Sequence, residues 1–199
     1  MWLRLFIKIQ VLPFLPTFYF KTKVVGRKNK KFKGNVILMG NHTSMWDAVL
    51  LFCTFWTKTF YFLSAALLFN RSKRFTWFIS TLGAIKVERT KTDMFAINSA
   101  IETLEKGRNL MIFPEGLRSL DGTILKFQPG AAIVGLITGK PIIPVFIGGG
   151  YGFFKQAKLV IGEHIVLERR DKNRYPSQEE IVEATQLLRN TIIELSKRL

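Results

Sequence analysis

Short apolar runs of strand length alternate along this chain with segments of helical periodicity. Four of these runs are rich in β-branched residues and bounded by Gly or Pro, as buried strands are: NVILMG, GAIKVE, NLMIF and PIIPVFI. Residues 92–107, between two of the runs, repeat apolar side chains at helical spacing and end at Gly107. This alternation predicts an α/β fold with a central, mostly parallel mixed sheet flanked by helices.

The C-terminal segment has the pattern of an amphipathic helix. Ser177 and Glu180 stand at capping-box spacing, which marks a helix start. The apolar residues that follow fall on one helical face: Ile181, Ala184, Leu188, Ile192 and Leu195. We therefore predict that this helix packs on the sheet through that face.

Positive charge is concentrated in the first half of the chain. The 199 residues carry a formal charge of +16. Residues 1–87 hold fourteen Lys and Arg against a single acid, Asp47, whereas residues 88–199 hold sixteen against thirteen. A field of this sign attracts phosphate on nucleic acid or anionic lipid, and also an acidic carrier protein. Composition alone leaves these partners open.

The first twenty residues are apolar and aromatic, but they do not form an uninterrupted hydrophobic stretch. The charge-free run from Ile9 to Phe20 is broken by Pro13 and Pro16, and a spanning helix needs about 20 apolar residues. A polybasic stretch, residues 21–33, follows. We predict that residues 1–20 lie on an anionic membrane surface and that residues 21–199 form one α/β domain. The alternative is a buried first helix followed by a solvated basic loop.

The chain has a single cysteine, Cys53, which excludes an internal disulfide and a multi-cysteine metal site. Its apolar neighbours indicate a buried, unreactive thiol. We expect a reduced, cytosol-facing protein held at the cytoplasmic face of the cell membrane, peripheral or monotopic.

A histidine and an acid follow the first strand-like run, in the segment GNHTSMWD. Loops at the carboxyl ends of strands are where open α/β sheets place their sites. His42 and Asp47 are separated by four residues, so Asp47 in the first turn of a helix could hold one ring nitrogen while the other acts as a general base. The alternative is a capping pair between Ser44 and Asp47, with His42 a polar loop residue.

A second strand-like run is followed by FPEGLRS. Pro114 and Gly116 favour a tight turn with exposed N–H groups, and Arg118 adds a planar donor suited to phosphate. Arg89, at the end of GAIKVER, could complete a phosphate pocket. The alternative is an ordinary turn in which a surface Arg118 pairs with Glu115.

Taken together, NHTSMWD, GAIKVER, FPEGLRS and PIIPVFI resemble the four ordered motif blocks of the glycerolipid acyltransferase family, which includes 1-acylglycerol-3-phosphate acyltransferases. The resemblance covers residues 20–168. Two departures stand out: Leu117 occupies a position where the family usually has Thr, and Ala65 and Ala66 lie where relatives commonly carry a Lys or another polar residue.

The resemblance implies a role for each matching residue. His42 would be the general base and Asp47 would orient its imidazole, so that the acceptor hydroxyl attacks the acyl carbonyl without an acyl-enzyme intermediate. Arg89 and Arg118 would bind the acceptor phosphate, with Lys126 a further candidate. Glu115 and Gly116 would shape the acceptor pocket. No metal and no cofactor are implied.

The expected reaction moves a fatty acyl group to the sn-2 hydroxyl of 1-acylglycerol-3-phosphate, giving phosphatidate. The implied partners are a lysophospholipid acceptor, an anionic membrane surface and a donor, which is an acyl carrier protein, a coenzyme A thioester or an acyl phosphate. One alternative is the same chemistry on another lysophospholipid or a lyso-aminolipid. A basic nucleic-acid-binding protein is supported by charge alone, because no nucleic-acid-binding motif is present, and we expect no nucleic acid partner.

Overall fold

The structure is a computed structural model that describes residues 21–65, 69–70, 72–87, 94–151 and 155–199. The predicted membrane segment, residues 1–20, lies outside the described residues. Ala66 and Arg89 also lie outside them.

Strands and helices alternate along the described residues. The strands are β1 (Lys23–Val25), β2 (Ile37–Gly40), β3 (Phe60–Ala65), β4 (Ala84–Val87), β5 (Asn109–Ile112), β6 (Ile142–Gly149) and β7 (Ala157–Ile161). The helices are α1 (Trp46–Thr54), α2 (Lys73–Leu82), α3 (Met94–Glu105), α4 (Gly130–Thr138) and α5 (Gln178–Ser196), with a short 3-10 helix at Arg27–Lys30.

The strands of the described residues form one sheet in the order β1-β7-β6-β2-β5-β3-β4. Neighbouring strands from β6 to β4 are parallel, whereas β7 runs antiparallel to β6, and β1 pairs in parallel with β7. The predicted α/β fold with a mostly parallel mixed sheet is therefore confirmed. Strand β2 lies in the interior of the sheet, between β6 and β5.

Both faces of the sheet are covered by helices. Successive side chains of a strand point to opposite faces, so neighbouring residues of one strand belong to different apolar clusters. Along the first buried run, Ile37 and Met39 belong to an apolar cluster that also contains buried residues of α3, α4 and α5. Val36 and Leu38 belong to a second cluster, which contains Leu50, Leu51 and Cys53 of α1. The sheet thus lies between α1 on one face and three helices on the other.

Helix α5 begins as the sequence predicts. The Ser177 hydroxyl accepts the Glu180 N–H, and the Glu180 carboxylate accepts the Ser177 N–H, so a capping box closes the first turn. The predicted apolar face is buried. Among the described residues, no helix combines the length and the hydropathy that a membrane crossing requires.

Strand β6 is longer than the apolar run PIIPVFI and includes Gly148 and Gly149. Gly148 and Gly149 pair with Lys158 and Ala157 of β7, so the antiparallel partner extends the strand past its apolar residues. Gly149 has φ +78°, and a Cβ at this position would clash with the Gln156 carbonyl oxygen. The turn between β6 and β7 therefore requires glycine at this position.

Cys53 is buried on α1, with 2% of its surface exposed. Burial raises the pKa of its thiol to about 12. The prediction that Cys53 is a buried apolar residue is confirmed, and the thiolate needed for nucleophilic chemistry is disfavoured.

Replacing the capping hydroxyl of α5 tests its contribution to stability. Ser177→Ala removes the acceptor of the Glu180 N–H, and losing a helix cap of this kind costs about 1 kcal/mol of unfolding free energy. Ser177→Thr, which keeps a hydroxyl, is the matched control. Urea unfolding followed by circular dichroism should show a lower midpoint for Ser177→Ala. Equal midpoints for the two variants would contradict a role for the cap.

Candidate active site

Loops from three strands meet at one edge of the sheet. Strand β2 lies between β5 and β6, and all three run in the same direction, so their carboxyl ends lie side by side. The loop after β2 carries His42, the loop after β5 carries Glu115, and the segment after β6 carries Tyr151. In an open α/β sheet, this edge is where sites form.

The central contact joins His42 to Asp47. The His42 Nδ1 lies 2.9 Å from Asp47 Oδ2. The Asp47 side chain is 0% exposed and the His42 side chain is 19% exposed. Helix α1 begins at Trp46, which places Asp47 in its first turn as expected. The structure therefore brings together the two residues that the sequence paired.

The Asp47 carboxylate also holds the backbone of the loop that precedes it. Its Oδ2 accepts the N–H groups of Thr43 at 2.6 Å and Ser44 at 2.8 Å, while Oδ1 accepts the Tyr151 hydroxyl. Asp47 thus bonds both the imidazole of His42 and the backbone of the loop that carries it. A carboxylate that already accepts these donors requires Nδ1 of a neutral His42 to donate, which leaves the lone pair on Nε2.

Glu115 ties the loop after β5 to the loop of His42. Its carboxylate is buried, with 2% of the residue exposed. Oε1 accepts the His42 N–H at 3.1 Å, and Oε2 accepts the Leu125 N–H at 3.3 Å. Burial raises the pKa of Glu115, and these two backbone hydrogen bonds partly oppose the rise. Both oxygens therefore face backbone N–H groups, unlike the predicted alternative of a surface pair with Arg118.

The turn after β5 packs directly on the imidazole. The Phe113 ring stacks on the His42 ring, with 4.3 Å between centroids and 21° between planes. Gly116 takes φ +68° and closes the turn with its N–H on the Phe113 carbonyl. The Ser119 N–H donates to the His42 carbonyl at 2.8 Å. Contacts on the ring and on the backbone thus fix His42 from the same turn.

Two residues of the site were not predicted from the sequence. The Asn41 amide donates to the Ile147 carbonyl and accepts the Ile147 N–H, at 2.9 and 2.7 Å, which fixes the loop after β2 to β6. Tyr151 reaches Asp47 from the far end of β6. Burial, followed by the Asp47 charge, raises the pKa of the Tyr151 phenol, so it remains a hydrogen-bond donor. The one sequence signal that could have indicated Asn41 and Tyr151 is their position after a central strand. Their contacts depend on strand order, which the sequence alone does not give.

Two of the three predicted phosphate ligands lie at the surface. Arg118 and Lys126 are exposed, and Arg118 directly precedes Ser119, whose N–H is bonded to His42. Arg89 lies outside the described residues. Among the residues that the structure describes, no group of three or more His, Cys, Asp or Glu side chains could hold a metal ion.

A family model described as Acyltransferase matches residues 21–148. This range includes β1 to β6 almost completely and contains every residue of the His42–Asp47–Glu115 arrangement.

The relatives that this chain matches are named 1-acyl-sn-glycerol-3-phosphate acyltransferases. The protein from Borreliella burgdorferi is 32% identical over 136 residues, which is 67% of this chain and 54% of that protein. LPAT1 of the Arabidopsis thaliana chloroplast is 28% identical over 73% of this chain and 40% of that protein. The chain thus spans about half of the length of these relatives or less. The Bacillus subtilis protein is 26% identical over 89% of both chains.

A solved structure shares the fold of this chain. The 1-acyl-sn-glycerophosphate acyltransferase PlsC of Thermotoga maritima superposes with a TM-score of 0.68 at 25% identity, covering 99% of this chain and 88% of that one. The matched family model, the named relatives and this shared fold together establish that the chain belongs to the acyltransferase family.

Proposed function

We propose that this chain transfers a fatty acyl group from an activated donor to the sn-2 hydroxyl of 1-acylglycerol-3-phosphate, giving phosphatidate. The observation that carries the proposal is the hydrogen bond between His42 and the fully buried Asp47, at an edge of the sheet where three loops converge. The names of the matched relatives support the choice of acceptor.

His42 is the general base in this proposal. With Nδ1 donated to Asp47, Nε2 is the atom that takes the proton of the acceptor hydroxyl. Asp47 stabilises the imidazolium that forms and keeps the ring from rotating. A positioned base of this kind contributes about 10²–10⁴-fold to a rate.

The acyl transfer is a direct displacement. The hydroxyl oxygen bonds to the acyl carbonyl carbon, its proton passes to Nε2, and the bond from that carbon to the donor sulfur or phosphate oxygen breaks. The proton on Nε2 then leaves with the departing group or with solvent. A coenzyme A thioester, an acyl carrier protein or an acyl phosphate each supplies a suitable leaving group, so the remaining task is to hold both substrates in position.

Arg118 binds the acceptor phosphate, assisted by Lys126 and by Arg89. Arg118 is exposed, and the backbone of the next residue is bonded to His42, so a phosphate held there would lie close to the base. Glu115 and Gly116 shape the acceptor pocket by fixing the backbone of this turn. A guanidinium suits this task because it presents a planar pair of donors to phosphate oxygens.

The enzyme works at an anionic membrane surface, on the cytoplasmic face, with residues 21–199 as one catalytic domain and residues 1–20 as an additional contact. Large apolar side chains are exposed on the loop after β5 and at the start of α1, on either side of His42. Leu120 is 93% exposed and Leu117 is 57% exposed, while Met45 and Trp46 are 46% and 42% exposed. Apolar side chains beside a cationic Arg suit the interface of an anionic bilayer, from which both substrates would come.

Removing the base should abolish the reaction. We expect His42→Ala to lower phosphatidate formation by about 10²–10⁴-fold. The purified protein would be incubated in detergent micelles with lysophosphatidate and each donor in turn, and phosphatidate would be followed by mass spectrometry. The matched control is His164→Ala, since His164 contacts the Asn29 carbonyl instead of the site. Full activity of His42→Ala would overturn the proposal.

Removing the Arg118 guanidinium should weaken recognition of the acceptor phosphate. A charge-assisted hydrogen bond contributes about 1.5–3 kcal/mol. Because about 1.4 kcal/mol corresponds to a tenfold change in affinity, Arg118→Ala should raise the KM for lysophosphatidate about tenfold or more. Arg174→Ala, which removes an exposed Arg paired with Asp171, is the control. Monoacylglycerol, which lacks the phosphate, serves as the comparison acceptor. An equal effect of Arg118→Ala on both acceptors would contradict phosphate binding.

Changing the most exposed leucine should weaken membrane binding. Burying a leucine contributes about 1.5–3 kcal/mol, so Leu120→Ser should lower the partition coefficient for phosphatidylglycerol vesicles about tenfold. Leu187→Ser, at a half-exposed leucine of α5, is the matched control. Sedimentation with the vesicles measures binding. Unchanged binding of Leu120→Ser would exclude this loop from the membrane contact.

A further inference from the structure

Tyr151 contacts the carboxylate that holds His42. It follows β6 by two residues, and its hydroxyl donates to Asp47 Oδ1. We propose that Tyr151 is a positioning residue of the acyl transfer, which acts by fixing the Asp47 carboxylate that orients His42. This proposal rests on the general-base role of His42 proposed above.

The two oxygens of Asp47 have different partners. Oδ2 accepts the Nδ1 proton of His42 and the N–H groups of Thr43 and Ser44. Oδ1 accepts the Tyr151 hydroxyl. Rotation about the terminal torsion of an aspartate is soft, so a donor on the second oxygen adds a further restraint on this rotation. Tyr151 holds the second oxygen and thereby restrains the carboxylate from the side opposite to His42 Nδ1.

Burial makes the second bond matter. Asp47 is 0% exposed, and a buried carboxylate oxygen without a donor is destabilising because water cannot replace the missing partner. Tyr151 is itself partly buried, and the pKa of its phenol is raised by burial and by the Asp47 charge. The hydroxyl therefore keeps its proton at neutral pH and remains a hydrogen-bond donor to Asp47.

The backbone around Tyr151 is fixed independently of Asp47. The Gly150 N–H donates to the Gln156 carbonyl at 3.1 Å, and Gly149 pairs with Ala157 across the β6–β7 ladder. The amide of Asn41 connects β6 to the residue that precedes His42. Strand β6, which precedes Tyr151, is thus hydrogen-bonded to the loop that carries His42.

Loss of the hydroxyl should change the pH dependence of the reaction. Among the described residues, three titratable groups contact His42 or its partner Asp47. They are Asp47 itself, Tyr151, and Glu115, whose Oε1 accepts the His42 N–H. Without the Tyr151 donor, the negative charge of Asp47 is less dispersed and favours the imidazolium more strongly. A base that is protonated cannot accept the substrate proton, so activity should begin at higher pH.

The test is a pH–rate profile of Tyr151→Phe between pH 5 and pH 9, a range of about two units on either side of neutrality. We expect the acid limb of kcat/KM to move up by about half to one pH unit. We also expect the plateau of kcat to fall about threefold to tenfold, with the KM for lysophosphatidate within about twofold of wild type, since Tyr151 acts through Asp47. Tyr175→Phe, at an exposed tyrosine before α5, is the matched control.

A purely structural role would give a different result. It would lower the rate uniformly and leave the acid limb in place, and that outcome would overturn the proposal. Thermal unfolding of Tyr151→Phe verifies that the variant is folded. If it is not folded at the assay temperature, the profile is recorded at a lower temperature at which the variant folds, and the same movement of the acid limb is expected.

A measurement that needs no activity separates this proposal from the proposed function. The chain has two histidines, so a His164→Asn background leaves His42 as the only imidazole in ¹⁵N nuclear magnetic resonance spectra. We expect a slowly exchanging Nδ1 proton in this background, and a shifted or broadened signal when Tyr151→Phe is added. A moved signal in an enzyme without acyl transfer would overturn the function and retain the positioning contact. An unmoved signal would overturn the positioning role.

Discussion

The site depends on a carboxylate that is completely removed from water. Asp47 is 0% exposed, and such a group is tolerated only when hydrogen-bond donors surround it. The donors come from the imidazole of His42, from two backbone N–H groups of the same loop and from the Tyr151 hydroxyl. Because these donors belong to different parts of the chain, satisfying Asp47 also assembles the loop after β2 and the end of β6 around one point.

The sheet makes this assembly possible through strand order. Strand β2 has β5 on one side and β6 on the other, all running in the same direction. Glu115, on the loop after β5, is a second buried carboxylate that joins separate parts of the chain. It accepts the backbone N–H groups of His42 and Leu125. His42, the proposed base, is therefore held at the strand ends by hydrogen bonds, whereas Arg118 and the leucines beside it are exposed. Such a division suits a reaction in which a fixed base meets a substrate arriving from a lipid surface.

Membership of the acyltransferase family changes how the charge is interpreted. A charge of +16 alone is compatible with nucleic acid, lipid or an acidic protein. The family match supports an acyltransferase, whereas nucleic-acid binding still has only the charge to support it. In the proposed reaction, the positive excess would attract the phosphates of an acceptor lipid and of an anionic membrane. The exposed leucines on the same loop as Arg118 add an apolar component that charge alone would not reveal.

The sequence by itself determined the fold class, the helix cap at Ser177 and the pairing of His42 with Asp47. These features are local: periodicity, capping and a separation of four residues act over a few turns of chain. The tertiary structure decided what no local pattern encodes. Tyr151 lies 104 positions from Asp47, and Asn41 lies 106 positions from Ile147. Those contacts exist because parallel strands that are distant in sequence become neighbours in the sheet, and because a buried carboxylate needs whichever donors that arrangement supplies.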